Sequence, residues 1–441
     1  MSPFAGLAGF NGGATGLMLR KKGSSLLNYY GDGSNGTLTT AADVIYTVES
    51  KNGSSDGDMM VKQYTSVNIA SGTTVTVDQP CRGFLIYCQG DMTINGTLSM
   101  TARGAAANPT ISGGSDNNTV SSSGLQYGFI NPGGTDTLTM TQSLFNGCGN
   151  SARNVIANAP SGTGSDYTVH TIPRTANNGA NRPSVSGNGT KENPADIRGG
   201  NGSTGGAKLG GGGAGGQAYE TYNGQGGAGG HSTCFSGGSG GGGAAGGGAA
   251  YSSHRGGDAQ NYGGQGGTGG NHQENSSRPK GTGGAGNPGG PDGTVGTQGN
   301  NDAGDGTGGL IMIIVGGNLT IGSGGKIEAK GTRGGDSSAT SDNSSMGGGS
   351  GGGHVMILCA GDVIANGNTI ATGDYVGNAG SPIGSAGTYG EQDYNIVTWG
   401  GRGGKNTSGD TPVQNMYTGT TLTRQGGTGG KGLISIYSGV S

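Results

Sequence analysis

Apolar residues in this chain arrive in short bursts separated by long polar or glycine-rich intervals. Four bursts share one template: "RGFLIYCQGDMTINGTLSMTARG" (82–104), "GGLIMIIVGGNLTIGSGGKIEAKG" (308–331), "GHVMILCAGDVIANGNTIATG" (353–373) and "KGLISIYSG" (431–439). Each opens on Gly or His and reaches a glycine six positions after its first apolar residue, which aligns Phe84, Leu310, Val355 and Leu433. Gly-Asp and then a short second run follow in two copies, ending on Asn95–Gly96 and Asn366–Gly367. Asn-Gly is the preferred pair for a tight type I′ turn. A partial copy, "SVNIASGTTVTV" (66–77), matches the second half of the template. Runs of Ile, Val and Leu bounded by glycine turns predict strands, and runs apolar on both faces predict strands covered on both sides. A six-residue run with a glycine stop suits one side of a solenoid coil. The expected fold class is all-β: a β-solenoid or sandwich-like platform of repeated short strands, stacked as repeats stack, with long insertions between turns.

The intervals explain why the greasy runs are needed. Residues 199–307 hold nearly pure glycine passes at 210–216, 224–230, 237–248, 263–270 and 281–290, and shorter ones recur at 347–353, 400–404 and 426–430. Several follow a Gly-Gly-X period, with Gln265, Thr268 and Asn271 at the X positions of one pass. In polyproline-II geometry three residues make a turn, so X lines one edge and bare backbone the other two. Two bare edges let neighbouring passes approach until their N–H and C=O groups pair, satisfying the backbone without a side-chain core. Each ordered glycine loses much entropy and buries little apolar surface, so such passes need an anchor, and a buried strand residue supplies roughly 1.5–3 kcal/mol. The alternative is a flexible glycine linker. Against it, bulky residues cluster between passes, as in "QAYETYN" (217–223), "AAYSSHRGGDAQNY" (249–262) and "NHQENSSRPK" (271–280).

Composition narrows the classes. Glycine accounts for 109 of 441 residues, about a quarter of the chain, against roughly 7% in ordinary proteins. Collagen is excluded by an irregular period and only 13 prolines. A net charge of -3 without a basic patch argues against nucleic-acid binding, and no run approaches the length of a membrane span. The start, "MSPFAGLAGFNGGATGLMLRKKG", lacks the marks of a secretion signal, so the expectation is a chain made in a reducing cytoplasm. Its five cysteines, at 81, 88, 148, 234 and 359, form no pairing pattern, and Cys88 and Cys359 read as buried free thiols.

Glycine passes in a Gly-Gly-X period, joined by loops bearing Tyr, His, Asn and Ser, resemble the glycine-rich adhesins at the tips of bacteriophage long tail fibres. The likeness covers about 199–307, with echoes to 430; the apolar strand copies look more like the β-rich shafts and spikes of phage virion proteins. The resemblance implies a sandwich of polyglycine-II helices whose loops touch a host receptor, in a virion assembled in the host cytoplasm. On that reading residues 1–64 dock the chain on other tail proteins or on its own copies, a trimer being common for phage fibres. Residues 65–104 form platform turns, 105–198 a polar insertion, 199–307 the polyglycine-II array, 308–373 further platform turns, 374–430 a late loop insertion and 431–441 a closing strand. The receptor, a host surface protein or glycan, falls to the loop aromatics Tyr219, Tyr222, Tyr251 and Tyr262 with His254, and to Tyr389, Tyr394 and Trp399. Such residues offer large contact area at low entropy cost and a polar handle.

Motifs for catalysis are weak. "GGSGG" at 237–241 and at 348–352 satisfies G-x-S-x-G, but neither precedes a helical pattern as a nucleophile elbow requires. No phosphate-binding loop is present. His231 with Cys234 is the one pair at short metal spacing, and "GDGSNG" (31–36) and "SSDGD" (54–58) lack the ligand set of a calcium loop. No cofactor, metal or catalytic residue is expected. A purely structural virion or filament subunit is the alternative to an adhesin. A polysaccharide-cleaving spike, which needs two convergent carboxylates, is the third reading.

Overall fold

The computed structural model describes residues 30–49, 53–106, 226–232, 235–243, 256–260, 263–267, 281–292, 303–337, 346–370, 395–403 and 426–438, with Gly212 and Gly269. It also gives the backbone pairing of short strands within 111–173, 373–375 and 413–422. The described elements are all strands, most of them in three parallel sheets. Sheet I holds Met60–Tyr64, Phe84–Cys88, Leu310–Val315, His354–Cys359 and Leu433–Tyr437, with Gly373–Tyr375 added antiparallel at the last edge. Sheet II holds Thr37–Thr39, Ser66–Ile69, Met92–Ile94, Leu319–Ile321 and Val363–Ala365, closed by the short antiparallel Asn368–Thr369. Sheet III holds Val44–Tyr46, Thr74–Val77, Thr97–Ser99, Lys326–Glu328 and Ile396–Val397. The chain visits sheets I, II and III in turn and returns to sheet I beside its previous strand, at 60–77, at 84–99 and again at 310–328.

All four apolar runs lie side by side in sheet I, although more than two hundred residues separate the first two. The partial copy at 66–77 falls into sheets II and III with its counterpart at 319–328, and residues 37–64 add the first strands. The sequence alignment of the runs is off by one residue in two copies. Phe84 and Val355 pair with Ile311, and Val355 with Ile434, rather than with Leu310 and Leu433. Counting from the first apolar residue missed this because Leu310 and Leu433 extend their runs by one outward-facing position. A one-residue shift exchanges the two faces of a strand, so the distinction decides which side chains enter the core.

The core lies between the sheets, where the alternate positions Ile86, Ile313, Ile357 and Ile436 of sheet I meet Ile94 and Ile321 of sheet II and Leu98 and Ile327 of sheet III. Corners are held by side chains that copy the backbone ladder. Asn318 N–H donates to Asp91 Oδ1 at 2.8 Å and Asp362 N–H to Asn318 Oδ1 at 2.9 Å, which explains the Gly-Asp of the template. At the next corner Asn395 Nδ2 donates to the carbonyls of Gly322 and Gly325, and its Oδ1 accepts from Asn366. Asn366 and Gly367 have φ of 51° and 78° and form the expected two-residue hairpin turn. Asn95–Gly96 instead carries the chain from sheet II to sheet III, and Gly96 keeps a negative φ.

Glycine segments prolong the strands. The chain leaves sheet III through 329–335 and 398–403 and re-enters sheet I through 303–309, 346–353 and 426–432. Their amides pair between segments with a period of three. Along 235–243, Gly237, Gly240 and Gly243 donate to Gly308, Ala285 and Thr282, while Gly238 and Gly241 accept from Gly351 and Gly348. Ser239 and Gly242 accept from Gly230 and Gly227. Successive residues thus address different neighbours. The neighbours sit too close for side chains: a Cβ on Gly240 would strike the Gly348 carbonyl, and one on Gly284 the Gly240 carbonyl. The buried X residues are small: Ala285, and hydroxyls bonding to main chain such as Ser239 Oγ to Gly264 O at 2.5 Å and Thr282 Oγ1 to Gly335 O at 2.6 Å. The two hydroxyls belong to the serine of the first G-x-S-x-G match and to a threonine, with no helix beside them.

Three outcomes follow from this packing. Gly284→Ala should lower stability by about 1–3 kcal/mol in a denaturant titration, because neighbouring main chain must be pushed away. Ile313→Ala should cost about 2–5 kcal/mol, whereas Ile45→Ala, at a residue 61% exposed, should stay within about 0.5 kcal/mol. His354 is buried in sheet I, and burial lowers its imidazole to about 3, so the folded chain holds it neutral. The unfolded chain protonates the same ring near 6.5. Stability should therefore be full above about pH 6.5 and fall on the way down to pH 3, by on the order of 4 kcal/mol. His354→Leu should flatten that limb of a pH-dependent melting curve.

Candidate functional site

The direction of each glycine segment follows from its bonds. Gly227 pairs with Gly242 and Gly230 with Ser239, so 226–230 runs antiparallel to 235–243. Thr282 and Ala285 pair with Gly243 and Gly240, so 281–285 also opposes it. Gly308 and Gly351, which bond to Gly237 and Gly238, lie just before strands of sheet I. Residues 235–238 therefore mark the sheet end of the array and Gly243 the far end.

At the sheet end the array is clamped to the platform. Phe235 is fully buried, with the Arg82 guanidinium 5.8 Å from its ring centroid. Arg82 is itself held by two 2.8 Å bonds to Asp56. Asn287 Nδ2 donates to the carbonyls of Gly104 and Gly263, tying a turn of the array to the chain leaving sheet III. Cation–π and charge-assisted contacts of this kind gain from desolvation.

The far end carries the long interruptions. Segments 244–255, 270–280, 338–345 and 404–425 begin and end there, next to Gly243, Gly256, Gly269, Thr282, Ser337, Met346, Gly403 and Gly426, while 213–225 ends there before Gly226 and 293–302 begins there after Asp292. The interruptions at the sheet end, 233–234 and 261–262, are two residues each. Two of the far-end segments emerge beside a buried ion cluster. Asp336, 2% exposed, receives two bonds from Arg402, at 2.9 and 2.7 Å, and one from Arg333 at 2.5 Å. The forked Arg402–carboxylate geometry fixes 330–337 against 398–403.

Of the residues expected to bind a receptor, Tyr219, Tyr222, Tyr251, His254, Tyr262, Tyr389 and Tyr394 lie outside the described residues. Tyr219 and Tyr222 belong to segment 213–225, which ends at the far end before Gly226, Tyr251 and His254 to 244–255, flanked there by Gly243 and Gly256, and Tyr262 falls between Gln260 and Gly263. Trp399 is described: it follows Ile396–Val397 directly, is half-buried, and accepts the Gly331 N–H on its carbonyl. Sequence reasoning missed the clamps Phe235, Asn287, Asp336 and Arg402. Phe235 had a signal, being the single phenylalanine of 199–307. The ion cluster had none, since it joins residues 66 positions apart.

Chemistry at the described residues is quiet. Cys81, Cys88 and Cys359 are buried free thiols, pushed up by burial to about 12, 11 and 11, and so are poor nucleophiles. Among the described residues no three of His, Cys, Asp and Glu gather as a metal site, and no helix is long and apolar enough to cross a membrane. No protein-family model, curated protein or solved structure matches the chain.

Removing the Asp336 carboxylate leaves Arg402 facing buried main chain. Asp336→Ala should cost about 3 kcal/mol in denaturant and speed amide exchange in 333–337 and 400–403 while sparing sheet II.

Proposed function

We propose that the chain is a non-enzymatic attachment protein of a bacteriophage virion, carried on a tail fibre or spike. In this reading the three parallel sheets are the sides of a β-solenoid and the glycine segments are a polyglycine-II bundle growing from it. The observation that carries the reading is the asymmetry of the bundle. Four interruptions of eight residues or more, 244–255, 270–280, 338–345 and 404–425, begin and end at the side of the bundle away from the sheets, whereas the turns 233–234 and 261–262 facing the sheets are two residues each. An array whose only task was to fill space would have no need to open four of its interruptions at one end. Display of recognition loops on a rigid scaffold gives that need a reason. Neutral tyrosines and a histidine in 213–225 and 244–255 suit a glycan or the outer loops of a surface protein, since aromatic faces pack on both. The buried state of Ser239 and Ser350, both bonded to glycine carbonyls, leaves the two G-x-S-x-G matches a packing role.

The test is adsorption to host cells with purified protein. Replacing 217–223 and 249–255 by Gly-Ser segments of equal length should abolish adsorption and leave melting unchanged. Replacing 261–262 should leave adsorption intact. Undiminished adsorption in the first variant refutes the reading, and release of reducing sugar from host capsule would favour a depolymerase instead.

A further inference from the structure

Two neighbouring glycine segments present a charged, partly aromatic strip on the outside of the array. Segments 329–337 and 398–403 run side by side in one direction, since the Gly331 and Gly334 N–H groups donate to the carbonyls of Trp399 and Arg402. These bonds set Lys330 beside Trp399 and Arg333 beside Arg402, with one step of three residues, about 9 Å, between the two rows. The edges that bear these side chains are the ones no neighbour fills. On the other edges of 398–403, a Cβ on Gly400 would strike the Gly429 carbonyl and one on Gly401 the Thr332 carbonyl. In 329–337, a Cβ on Gly334 would strike the Gly347 carbonyl, and Thr332 Oγ1 donates to the carbonyls of Gly304 and Gly306. The Arg333 side chain accordingly stays 45% exposed and that of Lys330 34%, while Trp399 is half-buried.

The charges of the strip do not cancel. Lys330 is matched by Glu328 at 2.7 Å, and the buried Asp336 carboxylate is matched by the forked pair with Arg402. The same carboxylate takes a further bond from Arg333, so two guanidiniums share one negative charge and one positive charge is left over on the exposed group. Packing has no use for the second guanidinium. What Arg333 gains from it is a fixed position, and an arginine already held in place loses little rotamer freedom when it binds. We infer that this strip binds an acidic glycan, with Arg333 on its carboxylate or sulfate and the Trp399 ring against a sugar face. The inference names a ligand class for the attachment reading and rests on that reading for its biological role. A guanidinium grips a pair of anionic oxygens through two parallel bonds, and an indole packs on the apolar face of a sugar ring. The step of about 9 Å between the rows is close to the advance of two linked sugar rings, so stacking and charge pairing fall on different units of one glycan. Nucleic acid fits poorly, because its affinity grows with the number of phosphates neutralised, and here one surplus charge stands on a chain of net charge -3.

Trp399 is the single tryptophan of the chain, so its fluorescence reports this face alone. The purified full chain is titrated with oligogalacturonate, oligosialate and dextran sulfate. A saturable change in emission is expected with at least one of them, weakening as salt is raised, and the probe that acts tells carboxylate from sulfate. Methyl-esterified oligogalacturonate should give no saturable change. Arg333→Gln should weaken binding by about tenfold or more and leave the melting temperature unchanged, because Arg402 keeps Asp336 paired. Silence with all three probes, an equal response to the ester, undiminished binding by Arg333→Gln, or an equal response to a DNA oligonucleotide overturns the inference. Should that variant melt early, the titrations of the unaltered protein decide alone. No host cell enters these measurements, so a failure here is distinct from a failure of the adsorption assay.

Discussion

The whole molecule rests on how closely two bare main chains can approach. Where Gly240 passes Gly348 there is no room for even a methyl group, and the amides of the two segments pair because of it. A backbone whose successive residues pair with different neighbours recovers the hydrogen bonds it gives up on leaving water, but it gains little apolar burial. The entropy of ordering each glycine is large, so the array stands only where something else fixes its ends.

The three sheets do that fixing. Strands such as Leu310–Val315 and His354–Cys359 are buried on both faces and locked in register by their neighbours. Glycine segments that continue directly from such strands inherit their spacing, so neighbouring segments begin already aligned. The corner ladder of Asp91, Asn318 and Asp362 keeps successive turns at one height, and any slip would be transmitted into the array. Phe235 and Asn287 repeat the logic for the segments that have no strand of their own. The Asp336–Arg402 pair closes the far end.

A scaffold built this way separates two requirements that compete in most folds. The far end bears the interruptions 244–255, 270–280, 338–345 and 404–425, each of which starts and stops at a point that the array already holds. Residues in those interruptions can change while the glycine passes stay constrained by the space between them, which is what the attachment role proposed above asks of the scaffold.

Much of this was legible beforehand. Periodic apolar runs and Gly-Gly-X passes are local signals, and they specified strands, close-packed glycine segments and the need for an anchor. Asn366–Gly367 announced its turn because two positive φ values are a property of the dipeptide itself. Register was harder, and Leu310 stood in for Ile311, since an apolar residue just outside the core face looks like one inside it. Nothing local marks Arg402 as the partner of Asp336, or tells that Gln260 and Gly243 lie at opposite ends of the array. The sequence by itself determined which stretches are strand and which are bare backbone, because side-chain volume and periodicity act within a few residues. Tertiary structure alone decided which stretches lie side by side and which end each loop leaves, because those depend on pairing amides that a glycine carries identically everywhere.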